Sequence, residues 1–380
     1  MERLRIGFFT EIYRPVVNGV VASVDALADG LRRRGHEVYC FAPHIPGYPE
    51  PDGPVFRMPS LPLPIRTPYR LTLPLVSRRN LNRVIKRLSL VHVHSPFVTG
   101  WMGLRYARRY GMPLVFTYHT QLEAYAHYVP FDAHATRFAV SHLTRAFANR
   151  ADAVVVPTPA MAAHLRRLGV TARIETVPSG IDVAHFGAGQ RDDGLRTRLG
   201  ARSGSRLLLY VGRLGKEKNV ELLLRALARA NDDSLRLIIA GEGPQRDKLH
   251  RETAELRIGG AVRFLGLVSR ERLPDLYASA DAFLMPSTTE TQGLVLAEAL
   301  AAGAAVIAAD APQNREVLGG AGVVIPGTPE AFAAAFRSLG DATPGSSARA
   351  RAAASRFGID RHAESIESLY RSLTPAARIA

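Results

Sequence analysis

The chain alternates short apolar runs with longer stretches whose apolar residues recur at helical spacing, the pattern of strand–helix–strand units in parallel sheets. Arg5-Ile6-Gly7-Phe8-Phe9 reads as a first strand, residues 11–19 as a loop and residues 20–34 as a helix closed by Gly35. Further strands are predicted at 36–41, 90–94, 113–117 and 153–156. Between residues 177 and 205 the pattern weakens into Gly-, Arg- and Asp-rich sequence that reads as a linker. A second series of apolar runs follows at 206–211, 235–240, 262–265, 282–285 and 305–308. This predicts an α/β protein with two Rossmann-like, doubly wound domains facing a cleft. Their expected limits are residues 1–185 and 186–359, with a C-terminal helix at about 360–374 packing back on the first. The Ala-, Arg- and Ser-rich stretch 345–356 is expected to be surface helix and loop.

A length of 380 residues fits two cores better than one. With 47% hydrophobic and 22% charged residues the composition is that of a soluble globular protein, and no apolar stretch is long enough to span a bilayer. The first apolar run stops at Glu11, too soon for a secretion signal. Cys40 is the single cysteine, so no disulfide framework is available within the chain, which fits a reducing compartment. The expected location is therefore the cytoplasm.

Charge changes the picture more. The net charge is +15, and residues 1–190 carry 23 Lys/Arg against 12 Asp/Glu. Between Asp52 and Glu123 there is no acidic residue and there are 11 basic ones. Such asymmetry points to an anionic partner, either lipid headgroups or nucleic acid. A nucleic-acid surface would interleave aromatic with basic residues, which this stretch does not, so no nucleic-acid partner is expected. In residues 78–88, Leu81, Val84, Ile85 and Leu88 share one helical face, with Arg78, Arg79, Arg83, Lys86 and Arg87 mostly opposite. Because a strand follows at Leu90, this reads as a crossover helix packed on the sheet, its basic face left for an anionic membrane surface. The apolar, irregular segments 61–64 and 71–75 are candidates for a lipid-facing lip.

Candidate chemistry concentrates at predicted strand ends. Glu290 and Glu298 follow the apolar strand 282–285, one in the strand-to-helix loop and one in the helix. Both could address one polar ligand whose anionic part rests on the backbone N–H groups near Gly293. A sugar nucleotide has that shape. Arg213 and Lys218 flank the loop after strand 206–211 and suit a pyrophosphate, although alone they also read as a solvated basic loop. Gly241-Glu242-Gly243-Pro244 and Phe264-Leu265-Gly266-Leu267-Val268 are, in isolation, ordinary turns; backbone groups at Val268 could pair with a base. Gly19, in Asn18-Gly19-Val20, sits at a helix start where a phosphate can approach the backbone. Its spacing is not the dinucleotide fingerprint, so no nicotinamide cofactor is indicated. His92 and His94 share a strand face but lack a third ligand at suitable spacing, so they read as structural rather than metal-binding. His119 stands just past a strand end, where a functional role is as reasonable as a structural one.

In this order, Asn18-Gly19-Val20, His119, Gly180-Ile181-Asp182, Gly212-Arg213 with Lys218, Gly241 to Pro244, Phe264-Leu265-Gly266 and the two glutamates resemble the retaining glycosyltransferases of family 4, over almost the whole chain. The resemblance implies the two-domain GT-B architecture. It implies that Arg213 and Lys218 neutralise a donor pyrophosphate, that Glu298 binds ribose hydroxyls and that Glu290 holds sugar hydroxyls. Backbone N–H groups of Gly293, Leu294 and Val295 would lie close to phosphate or sugar. Gly19 would approach the phosphate, His119 the sugar, Val268 the base, with Gly243 in the donor site. No metal and no other cofactor is implied. Residues 289–294 and 117–128 look like those of bacterial diacylglycerol glucosyltransferases, which implies UDP-glucose as donor, diacylglycerol as lipid acceptor, and peripheral association with the inner face of the cell membrane. Phosphatidylinositol mannosyltransferases using GDP-mannose are the alternative, and a soluble acceptor or a non-transferring relative such as a sugar-nucleotide epimerase are others. Ser179 departs from the asparagine that commonly precedes Gly-Ile-Asp.

Overall fold

Seven parallel strands form the first sheet, the central ones apolar runs too short to make a helix. They are β1 (Arg5–Phe9), β2 (Glu37–Pro43), β3 (Val55–Met58), β6 (Leu90–Val93), β7 (Leu114–Thr117), β8 (Ala153–Val156) and β9 (Ile174–Thr176). Two short strands, β4 (Ser60–Pro62) and β5 (Arg70–Thr72), pair antiparallel outside it, with Leu61 opposite Leu71. The computed structural model describes residues 2–48, 54–63, 70–74, 79–128, 131–339 and 346–375. Arg78 lies outside them. In space the order is β3-β2-β1-β6-β7-β8-β9, so the sheet reverses its direction of growth between β1 and β6. Every residue of β6, β7 and β8 is buried, as a sheet covered by helices on both faces requires. Helix Gly19–Arg33 starts where the Asn18 side chain accepts the Val21 N–H at 2.9 Å.

The second sheet repeats the plan with six strands: β10 (Arg206–Val211), β11 (Leu235–Ala240), β12 (Val262–Gly266), β13 (Ala282–Met285), β14 (Val306–Ala309) and β15 (Val323–Ile325). Their order, β12-β11-β10-β13-β14-β15, reverses between β10 and β13. The chain divides into two units, Met1–Gly180 with Ile359–Ala380, and Ile181–Gly358. Each has apolar side chains packed on both faces of its own sheet.

Three features differ from the sequence expectation. Residues 181–205 are not a linker but part of the second unit. Helix Val183–Gly187 buries Phe186 edge-on to Tyr277, and helix Asp193–Arg198 buries Arg196, whose guanidinium donates to Asp281, Ser279 O and Ser205 O at 2.7–2.9 Å. Elements this short show no legible period, and a buried arginine looks like surface in a sequence. The unit boundary therefore precedes residue 185. In helix Ser346–Ala354, Ala350 and Ala354 are fully buried against the second core, because alanine admits close helix contact without announcing itself as apolar. The strands β3, β9 and β15, only three or four residues long and at sheet edges, were not anticipated.

Helix Ile359–Leu373 belongs to the first unit, burying Ala363, Ile366, Leu369 and Tyr370 in its core. It also carries Glu367, whose buried carboxylate accepts from Arg34 and, at 2.8 Å, from Arg371. His36 Nδ1 accepts the Leu4 N–H, which leaves Nε2, 3.2 Å from Glu367, to carry the ring proton. Burial alone would raise the Glu367 pKa, but the hydrogen bonds of Arg34 and Arg371 outweigh it and hold it down to about 2. A folded pKa below the ordinary 4.5 means stability that is complete above 4.5 and lost as pH falls towards 2. We expect Glu367→Gln to cost about 3 kcal/mol at pH 7 and to flatten the acid limb of the stability–pH curve below pH ~4.5. An acid limb as steep in the variant as in the parent, measured by denaturant unfolding, would contradict this role.

Candidate functional site

In the second unit the residues of interest gather at the carboxyl ends of β10 and β13, at the reversal of strand order, where α/β sheets hold ligands. After β10 the chain turns at Gly212, and the Tyr210 hydroxyl donates to Arg213 O at 2.9 Å, pinning the loop. Arg213, partly exposed, stands 3.9 Å from the buried Glu217 carboxylate. Lys218 Nζ reaches across to Glu290, in the loop after β13, at 2.6 Å. That second loop is anchored on both sides. Ser287 and Thr289 hydroxyls donate to Glu217 O at 3.2 and 3.1 Å. Gln313 and Asn314 side-chain amides donate to Thr288 O and Ser287 O at 2.6 and 2.9 Å. Gln313 and Asn314, both buried, were not singled out from the sequence; nothing in their local pattern marks them, since their partners are backbone carbonyls 25 and 27 residues away.

Beyond Glu290, Gly293 adopts φ 75°, the left-handed region that glycine enters without strain, and helix Leu294–Ala301 starts from it. The N-cap Gly293 has no side chain with which to cap this helix and its first turn has no acid, so the start of the helix presents its partial positive charge beside Glu290. The Glu290 Cγ lies 3.4 Å from where a Cβ on Gly293 would stand. Gly243 has another reason to be glycine: a Cβ there would fall 2.5 Å from Leu214 O. The 241–245 loop thereby packs directly on the loop bearing Arg213, with Leu214 N–H donating to Glu242 O at 2.9 Å. Val268 follows edge strand β12, half-buried against the core.

Glu298 points away from Lys218 chemistry. It accepts from the Tyr277 hydroxyl at 2.9 Å, with Arg270 and His185 contributing positive potential. Burial raises its pKa above the ordinary carboxylate value, and the Tyr277 bond opposes that rise. Tyr277 itself is buried and its hydroxyl is pushed well above its usual pKa. The two glutamates thus serve different neighbours, one cationic and one phenolic.

In the first unit, the corresponding reversal lies between β1 and β6. Gly19 opens its helix there as an exposed residue, beside the capping Asn18. Glu11, which the sequence reading passed over, is buried and accepts from Thr72 N–H at 2.7 Å and Thr99 N–H at 2.8 Å. It acts as the missing N-terminal cap of helix Val98–Tyr110, whose own Phe97 offers none. His119, past β7, is bonded through Nε2 to His94 Nδ1 at 2.9 Å. Burial lowers its pKa to about 3, so it is neutral at physiological pH. His92 bonds Tyr370 and Thr117, a structural role. Among the described residues no group of three or more His, Cys, Asp or Glu is placed to hold a metal ion.

Helix Arg79–Lys86 commits its apolar face to the core: Leu81, Ile85 and Leu88 are buried. Arg83, Lys86 and Arg87 are exposed, so any membrane contact by this helix is electrostatic. Two exposed phenylalanines escaped notice in the sequence, Phe131 at 76% and Phe138 at 72% exposure, before and within helix Ala133–Ala148. No helix among the described residues is long and apolar enough to cross a membrane.

Residues 17–185 match the model of Glycosyltransferase Family 4, and residues 192–356 that of Glycosyl transferases group 1. An alpha-monoglucosyldiacylglycerol synthase of Streptococcus pneumoniae is 32% identical over 319 residues, covering 80% of this chain and 71% of that protein. A GDP-mannose-dependent alpha-mannosyltransferase of Mycolicibacterium smegmatis is 33% identical over 323 residues, covering 83% and 82%. Among solved structures, HepE of Anabaena in complex with UDP superposes with a TM-score of 0.75 over 97% of this chain and all of that one. At 20% identity that likeness concerns the fold.

The Glu298–Tyr277 pair yields a pH-dependent expectation. A folded pKa above the unfolded one means that stability falls as pH rises through the interval above 4.5, where the folded carboxyl gives up its proton reluctantly. Removing the phenol should deepen that fall. We expect Tyr277→Phe to cost about 2 kcal/mol at pH 8, where the bond is to a carboxylate, and about 1 kcal/mol at pH 5. Equal losses in denaturant unfolding at the two pH values would contradict the pairing.

Proposed function

The chain belongs to glycosyltransferase family 4, and from that premise we propose that it moves a hexose from a nucleotide sugar to a lipid acceptor with retention of anomeric configuration. The leading pair is UDP-glucose and diacylglycerol. The observation that carries the reading is the Lys218–Glu290 contact of 2.6 Å beside the start of helix Leu294–Ala301. A cation, a hydroxyl-accepting carboxylate and oriented amides within one loop pair fit the phosphate and sugar of such a donor.

In this reading Lys218 exchanges its carboxylate partner for the donor pyrophosphate, and Arg213 joins it. Glu290, released, accepts from sugar hydroxyls. Glu298 accepts from the ribose hydroxyls, and Val268 meets the base. In the first unit Gly19 supplies a backbone N–H to phosphate and His119 a contact to the sugar. The anomeric C–O bond to the leaving phosphate breaks as the acceptor oxygen bonds to the same face of that carbon. The acceptor proton passes to the leaving phosphate, whose growing charge Arg213 and Lys218 offset. No metal is required for that balance. GDP-mannose stands as a second donor, supported by the mannosyltransferase at 33% identity.

The lipid acceptor rests on the glucosyldiacylglycerol synthase relative and on the basic first half of the chain. Exposed Arg83, Lys86 and Arg87 suit anionic headgroups, and Phe131 and Phe138 suit the interfacial region.

The deciding experiment incubates the protein with a panel of labelled sugar nucleotides and bacterial lipid extract and identifies the product by mass. A glycosylated lipid from UDP-glucose is expected; label appearing only in a soluble product would refute the lipid acceptor. UDP should raise the melting temperature, by an amount equivalent to about 2.7 kcal/mol at a hundredfold excess over its Kd. Glu298→Ala should abolish most of that shift, and a shift that survives intact removes Glu298 from the donor site. Binding to liposomes should rise with anionic lipid and fall with salt. Replacing Arg83, Lys86 and Arg87 together by alanine should weaken it about a hundredfold at low salt, at roughly 1 kcal/mol per charge.

A further inference from the structure

His94 follows β6 and His119 follows β7, so both stand at the carboxyl edge of the first sheet, His94 at the strand-order reversal. Their rings are joined by the 2.9 Å contact between His94 Nδ1 and His119 Nε2, and one of these nitrogens must carry the hydrogen. The surroundings of His94 decide which. It is 3% exposed, lies 4.2 Å from the His92 ring and meets Phe8 edge-on at 4.6 Å. Its Nε2 is buried with no hydrogen-bond partner among the described residues. A proton there would leave a buried N–H donor unmade, which folded proteins avoid more strictly than a bare acceptor. His92 cannot relieve it, since its own nitrogens are taken by Tyr370 and Thr117 Oγ1. His362, the remaining nearby imidazole, accepts the Gly180 N–H through Nδ1.

We propose that His94 is a positioning residue: its Nδ1–H donates to His119 Nε2 and thereby fixes the His119 proton on Nδ1. The inference rests on the reading of His119 as a sugar contact. With Nε2 engaged as an acceptor, His119 carries its ring hydrogen on Nδ1 and presents no basic nitrogen. As a sugar contact it therefore takes no proton from the acceptor. Burial keeps the pair uncharged.

The test is the long-range proton–nitrogen-15 spectrum of the full chain, with the His119 signals assigned by His119→Asn. The Nδ1–H tautomer of His119 is expected in the parent. His94→Asn, whose side-chain amide nitrogen can stand where Nδ1 stood, should keep that tautomer and keep kcat within about threefold. His94→Leu should mix the tautomers and lower kcat about tenfold to hundredfold, the range seen for outer partners of metal-bound histidines, with the nucleotide-sugar KM unchanged. An Nε2–H tautomer in the parent overturns the proposal, and so does a His94→Leu variant with unaltered tautomer. If His94→Leu does not fold, the parent and His94→Asn spectra still decide. If no donor yields product, the glycosyltransferase reading fails while the tautomer measurement continues to judge the His94 assignment.

Discussion

A parallel sheet that reverses its direction of growth must send the connections of two neighbouring strands to opposite faces, and no loop then covers the gap between their carboxyl ends. Both units of this protein are organised around such a reversal, β1/β6 in one and β10/β13 in the other. The consequence is geometric rather than chemical. Loops 212–219 and 286–293 come from strands far apart in sequence, yet leave adjacent positions of one sheet, so Lys218 and Glu290, 72 residues apart, meet at 2.6 Å. The rest of the second unit supports that meeting. Gly243 lets one neighbouring loop press on Leu214, and Asn314 holds the other from behind.

The electrostatics of the site follow from its apolar floor. An ion pair at the rim of a buried sheet costs desolvation on both partners and persists because each answers the other. In the proposed donor complex a pyrophosphate offers Lys218 two charges in place of one, while a sugar offers Glu290 neutral donors, so the exchange of partners separates the pair without stranding either. Glu298 shows a different balance. Burial alone would leave its carboxyl reluctant to ionise, and Tyr277 shifts that balance back by a single hydrogen bond. Further hydroxyl donors at Glu298 would act in the same direction as the phenol.

The strands and the glycine-rich turns were legible in the sequence because apolar runs and φ-demanding positions depend on residues close together in the chain. Family membership, and with it the enzyme class, was legible because several such turns occur in a fixed order; the fold followed the same pattern. The residues missed have long-range reasons. Glu11 looks like a loop acid until Thr72 and Thr99, 61 and 88 residues on, are brought to it. Arg196 looks like surface until Asp281 is beside it. The segment 181–205 read as a linker because glycine and charge dominate it, whereas its packing rests on a few side chains such as Phe186. The basic helix 79–86 shows the converse: its period was legible, and the depth to which its apolar face sinks was not.

That last point bears on how the protein would meet a membrane. An amphipathic helix can lie on a bilayer through its apolar face or pack that face inward, and it cannot do both at once. Ile85 and Leu88 are buried, so this helix retains only its charges for the lipid. Coulomb attraction of that kind gathers the protein at an anionic surface but leaves it at headgroup depth and sensitive to salt. Reaching an acceptor whose hydroxyl lies at the base of a headgroup-free lipid needs apolar contact as well. In the proposed docking that contact comes from other side chains of the first unit, and Leu61 opposite Leu71 on the β4–β5 pair, with Phe131 and Phe138 before and within helix Ala133–Ala148, are exposed side chains of the right kind. On the proposed reading, charge sets where the protein gathers, and these few apolar groups set how deep it sits.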